Sequence, residues 1–151
     1  MKVEKAKVEN IPAMKALIDD FAKRNLMLSR SLNYMYQNVR DYFVCLDDDG
    51  KIVGCVSLHV VWQDLAEVKS LAVDEHCQKK GVGRILVDAA LDDARALRVP
   101  KVFCLTYVPG FFEKMGFRRI ERAELPHSVW AECVNCVKFP DCDEIAMIRA
   151  S

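Results

Sequence analysis

The sequence predicts an α/β (α+β) domain, a mixed sheet of six to seven strands flanked by about four helices. Short β-rich runs alternate with amphipathic stretches, in the rough order β-α-α-β-β-β-α-β-α-β-β. The length, 151 residues, suits one domain with its own core, so 1–151 is read as a single unit. A composition of 52% hydrophobic and 29% charged residues, with 6 Gly and 5 Pro, is globular and excludes collagen, coiled coil and disorder.

Residues 2–8 alternate valine with charge and read as a first strand. Asn10 is placed to cap a helix with Pro12 in its first turn, and Met14, Leu17, Ile18 and Phe21 share its apolar face. A shorter helix is expected over 31–39. Residues 41–46 are apolar and aromatic, Asp47-Asp48-Asp49-Gly50 is a turn, and 52–62 resumes as strand. That acidic turn lacks the alternating acids and terminal Glu of a calcium loop. A strand over 65–73 precedes a helix over 82–97, whose apolar side carries Val82, Leu86, Ala89, Ala90 and Leu97. Residues 101–106 form a strand, 109–114 a short helix, and 117–120 and 144–148 the last strands.

Lys plus Arg and Asp plus Glu number 22 each, so nothing in the net charge suggests a nucleic-acid partner. No apolar run reaches the roughly 18–20 residues of a membrane span, and the N-terminus lacks a signal-peptide core. Of seven cysteines, Cys45, Cys55 and Cys104 fall inside apolar strand-like runs, where a free thiol behaves as a small hydrophobe. A reduced, cytoplasmic protein is the expectation.

The segment from Ser70 to Gly83, SLAVDEHCQKKGVG, carries the most chemistry. A strand ends, and Gln78, Lys79, Lys80, Gly81, Val82 and Gly83 run directly into a helix. The first N–H groups of that helix lack intrahelical partners and favour an anion, and two lysines stand beside them. Gly81 and Gly83 remove Cβ atoms where a ligand approaches the backbone. The segment is neither a Walker A loop nor a Rossmann fingerprint. It reads as a site for a pyrophosphate.

Here the chain resembles the GNAT superfamily of acyl-CoA-dependent N-acetyltransferases. Gln78-x-x-Gly81-x-Gly83 matches that superfamily's (Gln/Arg)-x-x-Gly-x-(Gly/Ala) motif, after a strand ending Leu71-Ala72-Val73-Asp74. Phe112-Glu113-Lys114-Met115-Gly116-Phe117 matches its second signature. The resemblance implies a GNAT fold with acetyl-CoA as co-substrate, held where two parallel strands splay apart. The backbone of Leu71, Ala72 and Val73 would pair with the pantetheine arm and polarise the acetyl carbonyl. Gln78 to Gly83 would hold the pyrophosphate, and Phe111 or Phe112 would pack along the arm.

Acetyl transfer needs a neutral amine, and deprotonating one at pH 7 costs roughly 3–4 kcal/mol, so a general base is useful. The resemblance places an acid on the strand leading to the loop, and Glu67 is the candidate. Many members carry a general-acid Tyr where this chain has Phe112; Tyr107 is the candidate substitute. A thiol is a fair leaving group without protonation.

Three stretches narrow the resemblance to short, single-domain N-acetylglutamate synthases of the arginine pathway. These are Leu26-Met27-Leu28-Ser29-Arg30-Ser31-Leu32, the run Val102-Phe103-Cys104-Leu105-Thr106-Tyr107 followed by Phe111-Phe112, and the tail with Leu125-Pro126-His127, Trp130, Cys133, Cys136, Lys138-Phe139-Pro140 and Cys142. Glutamate presents two carboxylates and one amine, so its site should contain an Arg or Lys; Arg30 and Lys69 are the candidates, with Thr106 as a hydrogen-bond partner. The partner implied is a small amino acid, with neither nucleic acid nor membrane; a homodimer is left open. Cys133-x2-Cys136-x5-Cys142 leaves structural zinc, free thiols or a reversible disulfide open, and no metal is assigned. Two rival readings stand beside glutamate acetylation. One is acetylation of another small amine or a protein N-terminus, and the other a non-catalytic acetyl-CoA sensor.

Overall fold

A computed structural model describes residues 1–126, 129 and 143–151. The expected His127, Trp130 and cysteine-tail features, Cys133, Cys136 and Cys142, lie outside the described residues. The strands are β1 (Lys2–Lys5), β2 (Tyr42–Leu46), β3 (Ile52–Trp62), β4 (Leu65–Val73), β5 (Lys101–Thr106), β6 (Arg118–Arg119) and β7 (Ile145–Ala150). The helices are α1 (Ile11–Lys23), α2 (Leu32–Gln37), α3 (Val82–Ala96) and α4 (Pro109–Lys114). The strands form one mixed sheet in the order β1-β2-β3-β4-β5-β7-β6.

The sequence reading holds for every element, with differences at the ends. The first strand stops at Lys5, because Val8 is exposed and opens a 3-10 turn, Val8–Asn10. Asn10 precedes α1 as expected, but its Oδ1 accepts from the Lys7 N–H behind it rather than from the helix ahead. Leu97 lies just past α3 and is exposed. The Asp47–Gly50 segment is a plain turn, closed by Asp47 Oδ1 accepting the N–H groups of Asp49 and Lys51 at 2.9 Å each.

Helices cover both faces of the sheet. On one, Val82, Leu86, Val87, Ala90 and Phe112 of α3 and α4 pack on Val56, Leu58, Ala66, Val68, Val102 and Cys104. On the other, Ile11, Met14 and Ile18 of α1 and Met35 of α2 pack on Tyr42, Val44, Cys55 and Ala72. Gly54 of β3 sets the closeness of α3: a Cβ there would lie 2.9 Å from Leu86 Cδ1 and 3.0 Å from Val82 Cγ1.

Two irregularities in β4 matter for function. The parallel ladder of β4 with β5 covers only Leu65↔Lys101, Ala66↔Val102 and Glu67↔Phe103, after which the strands part. Along β3, Cys55 pairs with Ala72 and Ser57 with Lys69, so three steps on β4 match two on β3. Ser70 absorbs this bulge at φ +56°. The face of the strand therefore flips. Ala66 and Val68 face α3 before the bulge and Val73 does after it, whereas Leu65, Glu67 and Lys69 alternate onto the opposite face.

Candidate active site at the strand fork

The fork has an anion-binding end. Gly81 is the N-cap of α3 at φ +82°, with open space around its missing Cβ, so it is required for its backbone angle. At Gly83 the requirement is different: a Cβ would meet the Phe111 ring at 3.3 Å, so the glycine makes room for an aromatic side chain. Ile85 N–H donates to Gly81 O, the first bond of the helix, which leaves the N–H groups of Val82, Gly83 and Arg84 without helical acceptors. The Val82 side chain is buried, so only its backbone is available there.

Lys79, Lys80 and Arg84 are all exposed around this opening, and Arg84 is a cation that the motif does not include. Gln78 is exposed as well, but its amide is engaged. Its Nε2 donates to Val73 O at 3.2 Å, tying the loop to the end of β4. Asp74 Oδ1 accepts the His76 N–H at 2.9 Å and shapes the turn between. Phe112 is a core residue, with edge-on rings to Phe111 and Phe117 at 5.0 and 5.2 Å. Phe111 is the aromatic residue beside the loop.

Beyond Glu67 and Phe103, the edges of β4 and β5 face each other without ladder bonds among the described residues. Leu71 is half-buried, and Ala72 and Val73 are buried, so this stretch offers backbone groups to a ligand. An extended amide-bearing chain is the shape that such an edge pairs with.

Glu67 sits at the apex of the fork and is 7% exposed. His59 lies opposite it on β3, and His59 Nδ1 is 2.7 Å from Asp41 Oδ2. One row along the same face, Tyr42, Ser57 and Lys69 stand side by side. The α1–α2 connection brings Arg30 to this face. Arg30 Cζ lies 5.1 Å, and Lys69 Nζ 5.4 Å, from the centre of the Tyr34 ring. Burial pushes the Tyr42 hydroxyl well above the usual phenol range, and Tyr34 adds to the shift while Arg30 opposes it.

The Arg30 segment is fastened on both sides. Lys15 Nζ donates to Arg30 O at 2.8 Å and pairs with Asp19 Oδ1 at 3.1 Å, which also accepts from Ser29 Oγ at 3.1 Å. Ser31 Oγ then caps α2 by accepting from Tyr34 N at 3.0 Å.

The structure thus brings Arg30, Lys69 and Glu67 to one face. Thr106 is buried on β5, alternates with Val102 and Cys104 toward α3, and accepts the Val108 N–H at 2.9 Å through Oγ1. It is therefore separated from the two cations by the sheet. Tyr107 follows at the end of β5 and is half-buried. His59, Asp41, Ser57, Tyr34 and Tyr42 were not legible as site residues. A histidine eight positions before Glu67 across a hairpin was the available signal.

Residues 12–117 match the Acetyltransferase (GNAT) family. The chain belongs to that family. It is 37% identical over 132 residues to the amino-acid acetyltransferase of Mycobacterium tuberculosis, covering 86% of this chain and 75% of the relative. An uncharacterized N-acetyltransferase of Chlorobaculum tepidum is also 37% identical, over 97% of this chain and 94% of its own length. Among solved structures, a Mycobacterium tuberculosis protein in complex with CoA and NLQ superposes with a TM-score of 0.86 at 31% identity, over 100% of this chain and 99% of the other.

The N-acetylglutamate synthase of Neisseria gonorrhoeae, complexed with coenzyme A and N-acetyl-glutamate, has a TM-score of 0.88 at 24% identity. That match covers 99% of this chain and 34% of the other, and shows the shared fold. As a GNAT acetyltransferase this chain uses acetyl-CoA as its donor. The open edge of β4 and the N–H groups at the head of α3 fit such a donor. No helix among the described residues is long and apolar enough to cross a membrane.

Proposed function

We propose that this chain is a single-domain enzyme that acetylates the α-amine of L-glutamate, the first step of arginine biosynthesis. The observation that carries this reading is the convergence of Arg30 and Lys69 on the Tyr34 ring, on the same face as Glu67. Two cations held near one aromatic ring suit a ligand with two carboxylates. The name of the Mycobacterium relative supports an amino-acid acceptor, and that of the Neisseria protein supports glutamate.

Acetyl-CoA, when bound, supplies the acetyl group as a thioester whose thiolate is a competent leaving group. The head of α3 with Lys79, Lys80 and Arg84 holds the diphosphate, and Gly81 gives the turn its shape. Phe111 flanks the arm, and the N–H groups near Leu71 polarise the carbonyl. Arg30 and Lys69 hold the carboxylates so that the amine meets the fork apex. Glu67 takes the amine proton there, from a buried position where few waters compete. Tyr107 is the candidate donor to the leaving sulfur.

The test is acetyl-CoA turnover on a panel of amino acids, amines and peptides, read by mass spectrometry of the acetylated products. A preference for glutamate over glutamine of about 100-fold or more, roughly 3 kcal/mol, is expected of a charge-reading site. No acetylation of glutamate, with another amine on the panel accepted, would refute the assignment.

A further inference from the structure

We propose that His59, oriented by Asp41, is the outlet through which the proton collected by Glu67 reaches solvent. This rests on the reading of Glu67 as the base, and extends it to two residues with no role so far.

The need comes from stoichiometry. An ammonium and a thioester give an amide, a thiol and one proton: the N–C bond forms, the C–S bond breaks, and the sulfur keeps the electron pair and takes up one of the amine's two departing protons. The other must leave the site once per turnover. Glu67 is 7% exposed, too enclosed to exchange freely with bulk water.

His59 is placed to relieve it. It is the directly opposed cross-strand neighbour of Glu67, a relation that puts Cβ atoms about 4.5–5.5 Å apart on one face. Its side chain is 32% exposed and that of Asp41 27%, so the pair spans from the buried carboxylate to water. With a carboxylate as acceptor, Nδ1 carries the hydrogen, and Nε2 of the neutral ring presents a lone pair. A proton arriving at Nε2 leaves a ring whose Nδ1 is still held by Asp41 at 2.7 Å, and passes from there to solvent.

Asp41 is itself fixed. Its N–H donates to Asn38 O at 2.9 Å, and Asn38 Nδ2 donates to Tyr34 O at 2.9 Å, so the same helix that presents Tyr34 holds the histidine's partner. Among the described residues, the charged groups beside it on this face are Glu67 and Lys69 from β4, with Arg30 beyond Tyr34. β3 itself carries none besides His59.

The experiment measures steady-state acetylation of L-glutamate by His59→Ala, His59→Gln, Asp41→Asn and Glu67→Gln, with and without imidazole in the buffer. The expected result is a fall in kcat on the order of 10- to 100-fold for both His59 variants. Both KM values should stay within about two-fold, as for a step after binding. Imidazole should restore turnover to His59→Ala and leave Glu67→Gln unchanged. Asp41→Asn should fall less than His59→Ala.

Unchanged kcat in the His59 variants, with Glu67→Gln inactive, overturns the outlet and leaves the base reading standing. Full activity in Glu67→Gln overturns the base reading, and the relay with it. A loss in His59→Ala that imidazole does not repair marks a structural role and also overturns the proposal. If His59→Ala does not fold, the KM-against-kcat split of His59→Gln decides.

Discussion

Replacing Gly54 by alanine tests whether close packing of α3 on the sheet is what holds the anion-binding loop in place. The new methyl would lie 2.9 Å from Leu86 Cδ1, 3.0 Å from Val82 Cγ1 and 3.4 Å from Ala72 O. Leu86 is 0% and Val82 1% exposed, so neither can swing into solvent, and a β-branched valine has little rotamer freedom in a helix. Overpacking of this kind costs about 1–3 kcal/mol. The gain from a less flexible unfolded chain offsets about 0.4–1 kcal/mol of that. A net loss of about 1–2 kcal/mol lowers Tm by roughly 2–8 °C in a domain this size.

The functional half follows from where the strain is applied. Val82 is the first residue of α3, so a shift there moves the N–H groups proposed to hold the diphosphate. Calorimetry gives the Tm, and initial rates give KM for each substrate. The KM of acetyl-CoA is expected to rise several-fold while that of glutamate moves little. An unchanged or higher Tm with an unchanged acetyl-CoA KM would refute the reasoning, because it would mean that α3 can yield at no cost.

Gly81→Ala meets no neighbour but imposes φ +82° on a residue with a Cβ, which costs about 1–2 kcal/mol and should raise the acetyl-CoA KM; Gly81→Asn should recover part of the loss. Lys15→Ala removes the bond to Arg30 O and should raise the glutamate KM about 10-fold while leaving the acetyl-CoA KM alone, measured by initial rates. Burial pushes the Cys55 thiol up to about 12 and raises that of Cys104 as well, with Glu67 and Glu144 adding to the latter. These thiols stay protonated in the fold where the unfolded chain ionises, so urea-melt stability should decline above about pH 9, by at most about 1.4 kcal/mol per unit for each. Near pH 8 a thiol reagent should label half-buried Cys77 well before Cys45, Cys55 or Cys104.

The order of elements could be read from the chain because each declares its own period: 82–96 is helical in spacing, and 101–106 is too β-rich to be anything else. The loop from Gln78 to Gly83 was visible for the same reason, since glycine next to a helix start has few purposes. What could not be seen was contact across distance in sequence. Tyr34 looks like an ordinary helix residue until Arg30 and Lys69 arrive from either side of it. Asp41 and His59, 18 residues apart, become partners only through the β2–β3 hairpin. Thr106, the expected hydrogen-bond partner of the same site, lies by strand alternation on the α3 side with Val102 and Cys104, which its position in the sequence did not show. Gly83 and Gln78 matched a motif, and the motif did not reveal that one also seats Phe111 and the other bonds Val73 O.

The extra residue at Ser70 also divides one strand into two stretches that can vary independently. In the proposed reading Glu67 and Lys69 serve the acceptor and 71–73 the donor edge, with a change of phase between them. Drift in the first set can retune which amine is accepted without re-registering the second. A lineage can therefore keep its donor machinery intact while exploring new acceptors, one side chain at a time. Deleting the bulge by a single residue would couple the two halves again, and every such change of diet would then disturb the donor.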